Sequence, residues 1–113
     1  MLSQFPILLR GLAWLAGVLI LVTACATAPP VQEMSDARQA IAAAREAGAE
    51  RYAPQRLDQA VTLLSTAERL LQAGNSNAYW QARKAALDAK ETAFEALLAS
   101  REARENGRGS DSR

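Results

Sequence analysis

The stretch that decides the fold is AYWQARKAALDAKETAFEALLAS, residues 78–100. Alanine recurs in it at steps of four, three, four and three residues: Ala82, Ala86, Ala89, Ala93 and Ala96. Because an α-helix has about 3.6 residues per turn, this spacing predicts one narrow face of small side chains on a helix from about Asn77 to Glu105. Trp80, Leu87 and Phe94 recur every seven residues beside that face. The pattern predicts close helix-on-helix packing with larger side chains at the flanks.

A second helix is predicted just before this one, from Pro54 to Ala73. Proline suits the first position of a helix, and Gly74 suits the position just past the end. Apolar residues recur at steps of three, four, three and four: Leu57, Ala60, Leu64, Ala67 and Leu71. Because the connection around Gly74 and Asn75 is short, we expect the two helices to be antiparallel neighbours.

A further helix is predicted upstream, with Ser35 as its N-cap. Its apolar positions keep helical spacing: Ala37, Ala40, Ile41, Ala44 and Ala47. Pro54 disfavours helical geometry at Ala53, so we expect a corner around Tyr52; a kinked continuous helix is the alternative. The predicted fold class is all-α, an antiparallel helical hairpin or three-helix bundle with coiled-coil-like, alanine-rich packing.

The first residues of the chain have the pattern of a signal peptide. Residues 1–10 carry one basic side chain, Arg10, and residues 11–23 carry no charge. That uncharged run fits the roughly 7–15 residues of a signal-peptide core and falls short of the ~20 of a spanning helix. A longer membrane segment interrupted by Arg10 is the alternative.

Val22-Thr23-Ala24-Cys25 resembles the bacterial lipobox, and Cys25 is the only cysteine in the chain. The resemblance implies that the Cys25 thiol receives a diacylglycerol, that signal peptidase II cleaves between Ala24 and Cys25, and that the new amino group is acylated with a fatty acid such as palmitate. The alternatives are an ordinary apolar cysteine and cleavage by the general signal peptidase. Because residue 26 is alanine rather than aspartate, the expected location is the periplasmic face of the outer membrane, with the inner membrane as the alternative.

We therefore expect four segments. They are a lipoprotein signal peptide (1–24), a lipidated cysteine with a flexible tether (25–34), a helical domain (35–105) and a disordered tail (106–113). Pro29-Pro30 favours an extended tether of about 25–30 Å, at ~3.1 Å per residue.

Composition excludes several classes of chemistry. There is no histidine, and a single cysteine forms no internal disulfide. The 13 Lys and Arg residues, less Arg10, leave 12 against 12 Asp and Glu, so nucleic acid is not an expected partner. Glu91 and Glu95 are interpreted as a solvated face, and Ser65 and Ser100 have no histidine to activate them. We predict no catalytic residue, metal ligand or cofactor.

The aromatic residues Tyr52, Tyr79 and Trp80 have two interpretations. Aromatic side chains dominate protein-binding hot spots, so they are candidates for contact with a partner. The interpretation favoured by the thin, alanine-rich core is that they fill its ends. In either case, we expect a third helix, a partner or self-association to complete the burial of the hairpin.

Residues from about Ala40 to Ala103 resemble the DUF4398 family of small bacterial helical lipoproteins. The resemblance lies in Ala47-Gly48-Ala49, in the Tyr52-Ala53-Pro54 corner, in the pairs Leu57 with Ala60 and Leu64 with Ala67, and in the alanines through Asp88-Ala89. It implies a helical protein in the cell envelope with no established activity. Some members continue into an OmpA-like peptidoglycan-binding domain; this chain ends at Arg113, so we expect no peptidoglycan-binding domain.

The function expected from these observations is that of an outer-membrane-anchored periplasmic lipoprotein. Its helical body is expected to be non-catalytic, acting as a scaffold or adaptor of the envelope, with a protein partner or self-association through its helices. An inner-membrane regulator of a membrane complex is the alternative, and a small-ligand carrier or enzyme is a weaker one.

Overall fold

The computed structural model describes residues 10–15 and 28–112, and within those ranges every regular element is a helix. Residues 10–15 are helical and exposed. The helices of the body are α1 (Val31–Glu46), α2 (Ala49–Tyr52), α3 (Pro54–Ala73) and α4 (Ser76–Asp111). The all-α fold class is confirmed.

The long helix α4 is the element against which α1 and α3 both pack. It has 36 residues, about 54 Å at ~1.5 Å per residue. The short turn at Gly74 and Asn75 makes α3 antiparallel to α4. By contrast α1 is parallel to α4, because Glu33 pairs with Arg83 and Asp36 pairs further along with Lys90. The body is therefore a three-helix bundle in which the starts of α1 and α4 and the end of α3 share one end.

The alanine face of α4 is buried along its whole length. All five of its members are fully buried, as the sequence predicted: Ala82, Ala86, Ala89, Ala93 and Ala96. The larger core side chains are few and come from each of the three packed helices: Met34, Ile41, Leu57 and Leu97. Small side chains at the contact let the helix axes approach closely, so an alanine-rich sequence still forms a packed core.

Two of the residues at the helix ends, Pro54 and Gly74, have the roles that the sequence predicted. Gly74 adopts φ +74° and ends α3, and Pro54 is the first residue of that helix. The Asn75 side chain accepts a hydrogen bond from the Ala78 backbone N–H at 2.8 Å, which caps α4. Gly48 adopts φ +93° and ends α1, so α1 and α3 are separate helices joined through α2 rather than one kinked helix.

Removal of the Asn75 cap should lower the stability of the bundle. Asn75→Ala leaves the Ala78 N–H without its side-chain acceptor, and we expect a loss of about 1 kcal/mol in the free energy of unfolding. Urea unfolding of residues 26–113, followed by circular dichroism, measures it. Asn75→Asp is the control, because aspartate also caps and should keep the stability near that of the parent. Equal losses in the two variants would contradict the capping role.

The structure corrects the predicted start of the helical domain. The tether was predicted to reach residue 34 and the helix to begin after Ser35, but α1 begins at Val31 and Ser35 lies inside it. The reason is burial, because Met34 packs against Ala67, Ala85 and Ala86 and is almost inaccessible to solvent. Pro30 is also buried and is the residue that precedes the helix. The extended tether of about 25–30 Å is therefore wrong.

The predicted disordered tail is also wrong for the residues that the structure describes. Instead of ending near Glu105, α4 continues to Asp111 with its side chains exposed. The Ser110 hydroxyl donates a hydrogen bond to the Gly107 carbonyl at 2.9 Å. Extension of an existing helix adds one backbone hydrogen bond per residue without a new nucleation cost, and this outweighs the weak helix propensity of Gly107 and Gly109.

Candidate functional site

The predicted lipidation site lies outside the described residues. Ala24, Cys25 and the lipobox-like residues before them are not among residues 10–15 and 28–112. What the structure does describe is the chain from Ala28 onward, three residues after Cys25. The candidate site is therefore the region where the residues that follow Cys25 join the helical bundle.

The Arg83 side chain holds the residues around Ala28 against the bundle. Its Nη2 donates a hydrogen bond to the Ala28 carbonyl at 2.9 Å, and its Nε donates to Glu33 Oε1 at 2.9 Å. The Arg83 side chain is 18% exposed and the Glu33 side chain 27%, which makes this the most buried ion pair of residues 28–112. One guanidinium on α4 thus holds both the residues before α1 and the first turn of α1.

Trp80 lies beside this arginine and is 62% exposed. The Arg83 Cζ lies 5.8 Å from the centre of the Trp80 ring, within the range of a cation–π interaction. The ring, together with Leu87, forms the apolar part of an open concavity of about 390 Å³ on α4, which Gln81, Arg83 and Lys84 complete. We call Trp80 and this concavity the Trp80 patch.

The three aromatic candidates do not meet. Tyr79 is half-buried at the same end of the bundle as Trp80. Tyr52 lies at the opposite end, where its ring packs over Gly48 and the Arg51 guanidinium lies 5.3 Å from the ring centre. The interpretation that these residues fill the ends of the core is wrong for Trp80, because its ring extends from the surface instead of into the bundle. They form no joint partner site.

A second exposed surface begins at Leu87, which also lines the Trp80 patch, and runs along α4 away from Trp80. Leu87, Phe94 and Leu98 are each about half exposed and are seven and four residues apart, so they lie on one side of the helix. We call these three residues the outer row. The sequence placed Leu87 and Phe94 beside the alanine face, but only the assembled bundle shows that no other described helix covers them.

The charged and hydroxyl candidates have structural roles. Glu95 forms an ion pair with Arg56, and Lys84 forms one with Asp88 at 2.9 Å, four residues along the same helix. The buried Ser100 hydroxyl donates to the Ala96 carbonyl within α4.

Among residues 10–15 and 28–112, no cluster of three potential metal ligands occurs, and none of the described helices is long and apolar enough to cross a membrane.

The comparison with family models matches the helical body. A model described as a domain of unknown function, DUF4398, matches residues 32–108. The chain belongs to the DUF4398 family. The match begins in the first turn of α1 and ends near the end of α4, so the family covers the whole bundle, including Glu33 and Arg83. Comparison with curated proteins and with solved structures found no match.

Proposed function

We propose that this member of the DUF4398 family is a lipid-anchored envelope protein whose helical bundle is a non-catalytic scaffold or adaptor. The observation that carries the proposal is the position of the only cysteine. Cys25 ends an uncharged apolar run in a lipobox-like sequence, and the folded body begins within a few residues of it. Three acyl chains on that residue would hold the body on a membrane essentially permanently.

The proposed membrane is the outer membrane, with the body facing the periplasm. Support for this location comes from alanine at position 26, where aspartate would favour the inner membrane. The inner-membrane alternative makes the same anchored body a regulator of a neighbouring membrane complex. Separation of the two membranes on a density gradient distinguishes the two locations.

The packing supports a scaffold rather than a carrier of small ligands. At the centre of the bundle the positions of α4 that face α1 and α3 are closely packed alanines, and the concavities lie on the outside. Protein contact, including self-association, is proposed for the outer row. Its half-exposed leucine and phenylalanine side chains follow coiled-coil-like spacing, which suits a helical partner.

The anchor is tested by Cys25→Ala. We expect the unaltered protein to begin at Cys25, to carry the added mass of a diacylglycerol and an acyl chain, and to sediment with membranes. The variant should keep residues 1–24 or lose all lipid mass, because alanine has no thiol to modify. Intact-protein mass spectrometry of the purified membrane fraction measures both.

The matched control is Ala26→Ser, which keeps a small side chain next to the cysteine and should leave lipidation unchanged. A native protein that starts at Met1, or that carries no added lipid, would contradict the proposal. So would an equal lipid mass on the Cys25→Ala variant.

A further inference from the structure

We propose that the end of the bundle that carries the Trp80 patch rests on the lipid surface, with the Trp80 ring in the headgroup region of the bilayer. This inference depends on the proposed function, because it takes the lipidated Cys25 as the anchor. It adds a second contact with the bilayer and an orientation for the body. The bundle would stand on this end instead of being held away from the membrane by a free tether.

Chain length sets how far the bundle end is from the anchor. Ala28 is the third residue after Cys25, so the two Cα atoms are at most about 11 Å apart at ~3.6 Å per residue. The Ala28 carbonyl is bonded to Arg83, whose guanidinium lies against the Trp80 ring. Those two contacts place the ring within about 10 Å of the Ala28 carbonyl. A lipid on Cys25 therefore brings the bilayer surface within reach of Trp80.

The chemistry of the Trp80 patch suits a bilayer interface. Tryptophan combines a large apolar ring with an N–H donor, and it is enriched where hydrocarbon meets water. Leu87 adds apolar surface to the concavity, and two basic side chains lie next to it, Arg83 paired with Glu33 and Lys84 paired with Asp88. Basic side chains with long apolar stems are favoured at the same depth.

Charge at this end of the bundle does not oppose an anionic membrane. No aspartate or glutamate occurs from Arg69 to Leu87, and residues 70–82, which include the end of α3, the turn and the start of α4, carry no charged side chain. The nearby carboxylates at the start of α1 are engaged, Glu33 with Arg83 and Asp36 with Lys90. The opposite end carries exposed charges of both signs, such as Glu46 and Glu102 together with Arg51 and Arg101.

The fluorescence of Trp80 tests the contact directly. Trp80 is the only tryptophan of residues 25–113, since Trp14 lies in the predicted signal peptide. The lipidated protein is reconstituted into vesicles of phosphatidylethanolamine and phosphatidylglycerol, with and without brominated acyl chains. We expect Trp80 emission at shorter wavelength than in the detergent-free fragment 26–113, and quenching by the brominated lipids. Emission typical of water without that quenching would overturn the proposal.

A double variant moves the fluorophore as a matched control. In Trp80→Phe/Phe94→Trp the ring lies 14 residues further along α4, about 21 Å away. A bundle standing on its end keeps this ring in water, so we expect no quenching by brominated lipids. Quenching equal to that of Trp80 would mean that the whole outer row lies on the bilayer, and would overturn the end-on contact.

Two readouts separate failure of this inference from failure of the anchor. Intact mass and flotation with the vesicles report whether the protein is lipidated and bound. A protein that floats but whose Trp80 is not quenched by lipid contradicts only the contact proposed here. A shift of Trp80 emission without lipid quenching would assign the Trp80 patch to protein contact and equally overturn the inference. A protein without lipid mass contradicts the proposed function itself.

Discussion

Met34→Ala is expected to lower the free energy of unfolding by about 2–4 kcal/mol, the range for removal of a buried long apolar side chain. Met34 is 2% exposed and shares a buried cluster with Ala67, Ala85 and Ala86. Its buried neighbours are alanines, and the leucines that pack against the cluster, Leu64 and Leu71, are partly exposed on α3, so most of the space that Met34 would leave stays open. The change should therefore cost both burial and a cavity.

The measurement is urea unfolding of residues 26–113, in which the loss of helix is monitored by far-ultraviolet circular dichroism at 222 nm. Val31→Ala is the matched control, since Val31 is in the same first turn of α1 but is largely exposed. That control should change stability by less than about 0.5 kcal/mol. Equal stability of Met34→Ala and the parent would mean that residues 31–34 form a free tether after all.

The spacing of apolar residues in the sequence is consistent with this early start of α1. Met34, Ala37, Ile41 and Ala44 continue the helical spacing backward past Ser35. The capping preference of Ser35 and the proline pair favoured a later start. Burial of Met34 in the bundle outweighs the local preference of Ser35, because tertiary packing supplies more free energy than one cap.

For the bounds of α3 and for the buried face of α4 the sequence was sufficient. Alanine spacing predicted the buried face of α4, and Pro54 and Gly74 predicted where α3 begins and ends. These features depend on residues close together along the chain, whose conformational preferences are intrinsic. Periodicity could therefore identify which face of α4 is buried, whereas the end of α4 lies six residues beyond the predicted Glu105.

The candidate site depends on contacts that periodicity does not encode. Arg83 reaches Ala28 and Glu33, which are 55 and 50 residues away along the chain. This contact requires α1 to run parallel to α4, and the sequence left open how α1 joins the hairpin. The exposure of Trp80 could not be predicted for the same reason. Its position along the helix fits either a core or a surface side chain, and the placement of the third helix decides between them.

Ala86→Leu is expected to destabilise the bundle by about 1–3 kcal/mol through overpacking. Ala86 is fully buried on the alanine face, in the same cluster as Met34. The three added carbon atoms can fit only if α1 or α3 moves away from α4. Urea unfolding of residues 26–113 measures the loss, and Ala99→Leu on the exposed side of α4 is the control that should leave stability nearly unchanged.

Combination of the two changes distinguishes a specific cluster from general weakness of the bundle. In Met34→Ala/Ala86→Leu the new leucine can occupy the space that the methionine vacates. We therefore expect the double variant to lose less stability than the sum of the two single losses, by about 0.5–3 kcal/mol for side chains in contact. Strict additivity would show that Met34 and Ala86 do not share one packed volume. The first turn of α1 would then not be held against α4 by this cluster, and Arg83 alone would have to fix the chain from Ala28 onward beside Trp80.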